Sequence, residues 1–233
     1  MFFLVTGASG VGKSTVRKLI EPEFADVLEV AELGMLGSTP KWKIEWRHRM
    51  VERTVRRALE AQREGKHFLL CGDPVPPGEV WAAPSADRLD RLDVCLLDAG
   101  EKAQTARLLE RGDDSSFIRH HVAFADWMRH HVVDHRHRPE VITRNAWPQM
   151  RWDRWVGIAA IQPPWSSYII ETSELGPTGV AHLVAQWLRQ HIHANKTDAP
   201  NPATTPPFRF ATHWRRVGDP TSEVYRATYF SNF

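Results

Sequence analysis

Apolar positions fall into two patterns along this chain: short unbroken runs, and longer stretches in which they recur at helical spacing. Phe2–Thr6 is a run of the first kind, closed by glycine, and predicts a strand buried on both faces of a parallel sheet. Residues 14–20 read as the helix that follows, ended at Glu21-Pro22 because a residue before proline is pushed out of the helical region. Residues 27–30 form a second strand. Over 41–63, Trp42, Trp46, Met50, Val55, Ala58 and Leu59 lie near helical spacing, with Gly65 where that helix would end. Residues 67–73 are a third apolar run, which leaves Asp73 at the carboxyl end of its strand. Pro74, Pro76, Pro77 and Gly78 predict a rigid loop, and 94–97 a fourth strand. Helices over 102–111 and 117–133 come next, then a late strand at 167–171 and an amphipathic helix at 178–191.

Strand and helix alternating over residues 1–192 specify an α/β protein with a parallel sheet. Residues 195–207 contain Pro200, Pro202, Pro206 and Pro207 and read as a linker. The final stretch, 208–233, carries Phe208, Phe210, Trp214, Tyr225, Tyr229 and Phe230, too aromatic for a free tail; it predicts a small docked extension that would suit a homodimer contact. The domain reading is one α/β domain over 1–194, the linker, and the extension.

Composition adds exclusions. Hydrophobic residues at 42% and charged residues at 25% are ordinary for a globular chain. Lys plus Arg at 30 against Asp plus Glu at 28 leaves a formal charge of +2, which argues against nucleic acid or a membrane surface as partner. Cys71 and Cys95 both sit in apolar runs, predicting buried thiols in a reduced, intracellular protein and no cysteine-based metal site. The apolar amino terminus stops after Val5 without the charged region of a signal peptide. No stretch reaches the roughly 18–20 apolar residues of a membrane span, so the expected location is the cytoplasm.

Gly7-Ala8-Ser9-Gly10-Val11-Gly12-Lys13-Ser14 matches G-x-x-x-x-G-K-[ST], with a strand before it and a helix after it as the motif requires. Its glycines let backbone N–H groups turn inward around phosphates, and the helix start adds a positive dipole end. Lys13 would reach the β- and γ-phosphates and Ser14 would offer a hydroxyl to Mg²⁺, with Thr15 completing the binding segment. The expected cofactors are ATP, with GTP left open, and Mg²⁺.

On this motif at the extreme amino terminus, the small size, and Tyr168-Ile-Ile-Glu-Thr-Ser173 before an amphipathic helix, residues 1–192 resemble the small P-loop kinases. That family includes adenylate, shikimate and gluconate kinases and chloramphenicol phosphotransferase. The resemblance implies a three-layer P-loop fold with a five-stranded parallel sheet ordered 2-3-1-4-5, an acceptor site over the strands' carboxyl ends, and a helical lid carrying arginines. The lid candidates are Arg107, Arg111 and Arg119; Arg107 and Arg111, one turn apart, could address the same phosphates. Asp73 is the candidate to orient or deprotonate an acceptor hydroxyl, or to hold hydrated magnesium with Ser14. Glu29 and Glu32, after the second strand, are candidate acceptor-binding acids. Neither the Asp-Gly-Phe-Pro-Arg of adenylate kinase nor the triple glycine of shikimate kinase is present, so neither substrate carries over.

Residues 121–165 exceed what compact relatives have, and hold Trp127, Trp147, Trp152, Trp155 and Trp165 with His121, His130, His131, His135 and His137. They read either as an aromatic acceptor pocket, with Trp127 contacting substrate, or as a satellite core. The histidine spacing fits no defined metal pattern, and Arg129, Arg136 and Arg138 oppose a cation. The expected function is an ATP-dependent kinase with Lys13, Asp73 and Arg111 as catalytic groups, phosphorylating a hydroxyl of a metabolite, sugar or antibiotic. The alternatives are a nucleoside or nucleotide kinase, and a nucleotide switch or ATPase acting through a protein partner.

Overall fold

The computed structural model describes residues 1–36, 44–156 and 163–197. Its strands are β1 (Phe2–Thr6), β2 (Leu28–Ala31), β3 (His67–Cys71), β4 (Leu92–Asp98) and β5 (Ser166–Glu171), in one parallel sheet ordered β2-β3-β1-β4-β5. Phe2 lies opposite Phe68 and Leu92, and Val5 opposite Cys71 and Cys95, so β1 is central and ends between the ends of β3 and β4. The α-helices are α1 (Lys13–Phe24), α2 (Ile44–Arg63), α3 (Pro77–Ala82), α4 (Glu101–Glu110), α5 (Ser115–His131), α6 (Glu140–Thr143), α7 (Asp153–Val156) and α8 (Pro177–Thr197).

The unbroken apolar runs are explained by burial on both sides. Phe2, Leu4, Phe68, Leu70, Val94 and Leu96 share a core with Val51, Val55 and Ala58 of α2, Val80 of α3 and Trp127 and Met128 of α5. Their alternates Phe3, Val5, Leu69, Cys71, Cys95 and Leu97 face the other way and are equally buried. Both cysteines are free. The chain divides into two units, Met1–Ala185 and Gln186–Phe233; the first contains all five strands. Of the second, residues 186–197 of α8 are described, and there His191 Nδ1 lies 2.9 Å from Trp187 O.

Several boundaries differ from the sequence reading. α1 runs through Pro22 to Phe24. Proline costs the bond to the Lys18 carbonyl, but only in the last turn, where continuing the helix buries Phe24. α2 ends in a Schellman cap: Gly65 has φ 75°, its N–H donates to Gln62 O at 3.1 Å, and Lys66 N–H donates to Ala61 O at 2.9 Å. The expected rigid loop at 74–78 instead starts a helix, because Pro77 occupies the first helical position, where no N–H is needed. α5 begins early, at Ser115, because Asp114 caps it by accepting from Ser116 N–H at 2.7 Å. α8 continues to Thr197, three residues into the expected linker; the rest of the linker and the aromatic extension lie outside the described residues.

The insert is a packed layer. Trp127, Trp147 and Trp165 are buried, and Trp147 and Met150 form a satellite cluster with Ala82. Backbone and arginine bonds stitch it to α3. Arg151 N–H donates to Ala82 O at 2.7 Å, and Arg154 donates to the carbonyls of Trp81, Ala83 and Pro84 at 3.2, 2.6 and 2.7 Å.

Candidate active site

The loop between β1 and α1 is shaped by its glycines and its neighbours. Gly7, Gly10 and Gly12 all have positive φ, at 144°, 85° and 97°. A Cβ on Gly7 would overlap the Leu97 carbonyl oxygen of β4, and one on Gly10 would stand 3.0 Å from Leu108 of α4. Gly12 meets nothing within 4 Å, so its glycine serves the backbone turn alone. Gln104 of α4 fastens the loop from outside, donating to Ser9 O at 2.8 Å. Ser14 and Thr15 are exposed on the first turn of α1.

Lys13 points back into the loop, its Nζ donating to Ala8 O at 2.7 Å, and only 5% of the residue is exposed. Burial pulls its ammonium down to about 8, the Arg111 charge acting in the same direction and Asp73 opposing it. Beneath it, the Cys71 thiol lies 3.5 Å from Lys13 O and is pushed up to about 12 by burial, so it is an inert thiol.

At the end of β3, Gly72 has φ 139°, and a Cβ there would stand 2.7 Å from the Glu32 carboxyl group. That gap lets Glu32 reach Asp73 from β2. Asp73 Oδ2 accepts from Leu33 N–H at 2.6 Å, and Glu32 lies 2.6 Å from Arg17 Nε of α1. Burial raises the Asp73 carboxyl above the ordinary range, Glu32 adding to the shift while Lys13 and Arg17 oppose it. Lys13, Asp73 and Glu32 thus gather over the carboxyl ends of the strands, as the sequence reading expected of all three.

The remaining candidates separate. Glu29 pairs with Arg57 of α2 at 2.5 Å and lies opposite Phe68, near the amino end of β3, so it is not brought together with Asp73 and Glu32. Arg107 does not join Arg111: its guanidinium donates to Thr172 Oγ1 at 3.0 Å, Thr172 O at 2.5 Å and Ser173 O at 3.3 Å, tying α4 to the turn after β5. Arg111 faces Lys13 electrostatically and is held by Asp113, with 54% of its side chain exposed. Arg119 is exposed on α5, about 200° around the helix from His121, which abuts the loop. Trp127 is 2% exposed, packed in the main core and stacked on His131 with ring centroids 4.6 Å apart. Trp155 carries no described side chain.

Sequence reasoning missed three parts. Asp98 ends β4 as Asp73 follows β3, an equivalence visible in the apolar run before it, and is clamped by Arg129 of α5 at 2.6 and 2.9 Å. Gln104 reads as one more helix polar residue until the loop is packed against it. Glu79 of α3 is fully buried, paired with Arg47 through Nε at 2.8 Å and lying 3.1 Å from His48 Nε2. Burial by itself would raise Glu79, but Arg47 and His48 hold it down at about 2.

Strand order and loop define a P-loop α/β fold with the sheet order of the small P-loop kinases. No protein-family model matches the sequence, and no curated protein does. Among solved structures, the chain is similar to a sugar kinase from Janibacter sp. at TM-score 0.48 and 16% identity, over 81% of this chain and 94% of that one. It is also similar to the APS kinase CysC of Mycobacterium tuberculosis, solved in complex with AMPPNP and APS, at TM-score 0.45 and 15% identity, over 81% and 96% of the two chains. None of the residue roles follows from likeness at this level. Among the described residues, no helix is long and apolar enough to cross a membrane.

Proposed function

We propose that this protein is an ATP-dependent phosphotransferase acting on a hydroxyl of a small molecule, within the class of metabolites, sugars and antibiotics. The observation that carries the reading is the convergence of Lys13 with Asp73 and Glu32 above the carboxyl ends of β1, β2 and β3. A nucleotide-binding loop needs Lys13 alone; a second, carboxylate-bearing wall facing it is what an acceptor hydroxyl requires.

The loop binds the phosphates through its inward N–H groups, and Lys13 leaves Ala8 O to pair with them. Asp73 orients the acceptor and takes the hydroxyl proton as the acceptor oxygen bonds to the γ-phosphorus and the bond to the ADP oxygen breaks. Burial raises its carboxyl above the ordinary range, which makes it a stronger base than an ordinary aspartate. Arg111, released from Asp113, supplies charge to the transferring group. The donor set fits Mg²⁺, with the exposed Ser14 hydroxyl beside Lys13 and Asp73 across from it. Among the described residues there is no cluster of three or more metal-binding side chains, and magnesium held largely by phosphates and water does not need one. When bound, it would neutralise phosphate charge.

The test is incubation with γ-labelled ATP, Mg²⁺ and a panel of sugars, polyols, nucleosides and hydroxyl-rich antibiotics. Label on an acceptor, lost in Asp73→Asn, is the expected result. Label released only to water across a broad panel would overturn the phosphotransferase reading in favour of an ATPase or switch.

A further inference from the structure

The lid side of the phosphate loop also meets a histidine that no motif selects. The nitrogen of Gln104 that donates to Ser9 O at 2.8 Å also donates to His121 O at 3.3 Å. Two acceptors sharing one nitrogen are at most about 6 Å apart, so this turn of α5 lies against the loop backbone. The His121 imidazole is half-buried, with Nε2 3.9 Å from Asp113 Oδ2. Asp113 is the carboxylate that grips Arg111, accepting from its Nε at 2.7 Å. The groups acting on the imidazole are Asp113 from the α4–α5 loop, Arg111 from the end of α4, His120 from its own helix and Lys13 from the phosphate loop.

The Arg111 guanidinium and the His121 imidazole therefore converge on one carboxylate beside an anion-binding loop, with Lys13 of that loop acting on the imidazole. A phosphate brought there by the loop offers more negative charge than Asp113 does, together with several acceptor oxygens in place of two. We propose that His121 is a phosphate-binding residue: with Arg111, it passes from Asp113 to the terminal phosphate of the bound nucleotide, and it does so as imidazolium. This rests on the nucleotide-binding reading of the loop and adds to it a residue from outside the motif.

In the free protein, burial holds the imidazole below its ordinary value, with Arg111, His120 and Lys13 adding to the shift and Asp113 opposing it. It is therefore mainly neutral near pH 7. An adjoining phosphate reverses the balance and favours the charged form, so binding takes up a proton and nucleotide affinity rises as pH falls. Because Gln104 bonds the backbone carbonyl of His121, replacing the side chain leaves that contact in place.

The experiment measures the dissociation constant of the Mg²⁺ complex of AMPPNP by calorimetry between about pH 6 and pH 8.5, on the full chain and on His121→Gln and His121→Arg. Comparing proteins at each pH cancels the titration of the nucleotide itself. His121→Gln is expected to bind about tenfold more weakly than the natural protein at the acid end, the ratio closing towards one at the alkaline end. His121→Arg is expected to lack that pH dependence, keeping only the decline above about pH 8 that Lys13 imposes on all three proteins. Equal affinities of the natural protein and His121→Gln throughout would overturn the proposal, as would a deficit that does not change with pH, since that is the mark of a positioning role. Failure of the natural protein to bind AMPPNP at any pH would overturn the nucleotide-binding reading, and the proposal with it.

Discussion

Lys13 at the start of α1 and Asp73 just past β3 attract one another, and each is pushed towards its neutral form by burial. A phosphate reverses the shift of Lys13: it replaces the Ala8 carbonyl as the ammonium's partner and raises the pKa from about 8. Nucleotide affinity should accordingly decline as pH rises above 8, where the free protein has lost the proton that binding needs. Lys13→Ala should abolish binding at every pH, measured by calorimetry; undiminished affinity would remove the loop from the site. Asp73→Asn keeps an acceptor oxygen for Leu33 N–H, so folding and nucleotide affinity should be kept while kcat falls by about 10²–10⁴. Normal turnover in that variant would exclude Asp73 as the base.

Strand, loop and helix at the amino terminus were legible because sequence-local chemistry determines them: an apolar run, glycines where φ must be positive, and a lysine at the helix start. Asp73 and Glu32 could be placed because strand ends can be read from hydrophobic runs. What escaped were residues whose roles arise from partners far along the chain. Arg107 and Arg111 share a helix face, yet one is taken by Thr172 and the other by Asp113, and spacing cannot distinguish them. Likewise, prolines at 76 and 77 signal a break in one context and a helix start in another. Two glycines separate local from tertiary cost experimentally. Gly65→Ala introduces no contact within 4 Å, so it should cost only the left-handed backbone penalty, about 1 kcal/mol by urea denaturation. Gly7→Ala must also force β4 away from β1 at Leu97 O; it should cost clearly more and remove nucleotide binding, and a cost equal to that at Gly65 would refute this account of the loop's packing.

Within the α/β unit, one buried polar seam joins α2, α3, α5 and the insert. Arg47 and His48 of α2 meet Glu79 of α3, Gly78 N–H donates to His131 Nε2 of α5 at 3.3 Å, and Trp147 N–H donates to His48 Nδ1 at 3.2 Å. The insert is therefore joined to the acceptor-side helices through groups that tolerate acid poorly. Burial holds His131 neutral, its value lowered from 6.5 to about 3; this stabilisation is complete above pH 6.5 and is lost as pH falls towards 3. Glu79, held at about 2 against an ordinary 4.5, stabilises the fold above pH 4.5 and loses that contribution between 4.5 and 2. The urea midpoint should thus be level from about pH 8 down to 6.5, then fall in two overlapping stages. His135 and His137, also lowered by burial, add to the first stage. His131→Phe keeps a ring against Trp127 but leaves Gly78 N–H without its acceptor, which should lower stability by about 1–3 kcal/mol at neutral pH. It should also shrink the stage between pH 6.5 and 4.5 while leaving the Glu79 stage intact. An unchanged first stage in that variant would mean that His131 is not the neutral member of the seam and that the acid sensitivity resides in His135 and His137.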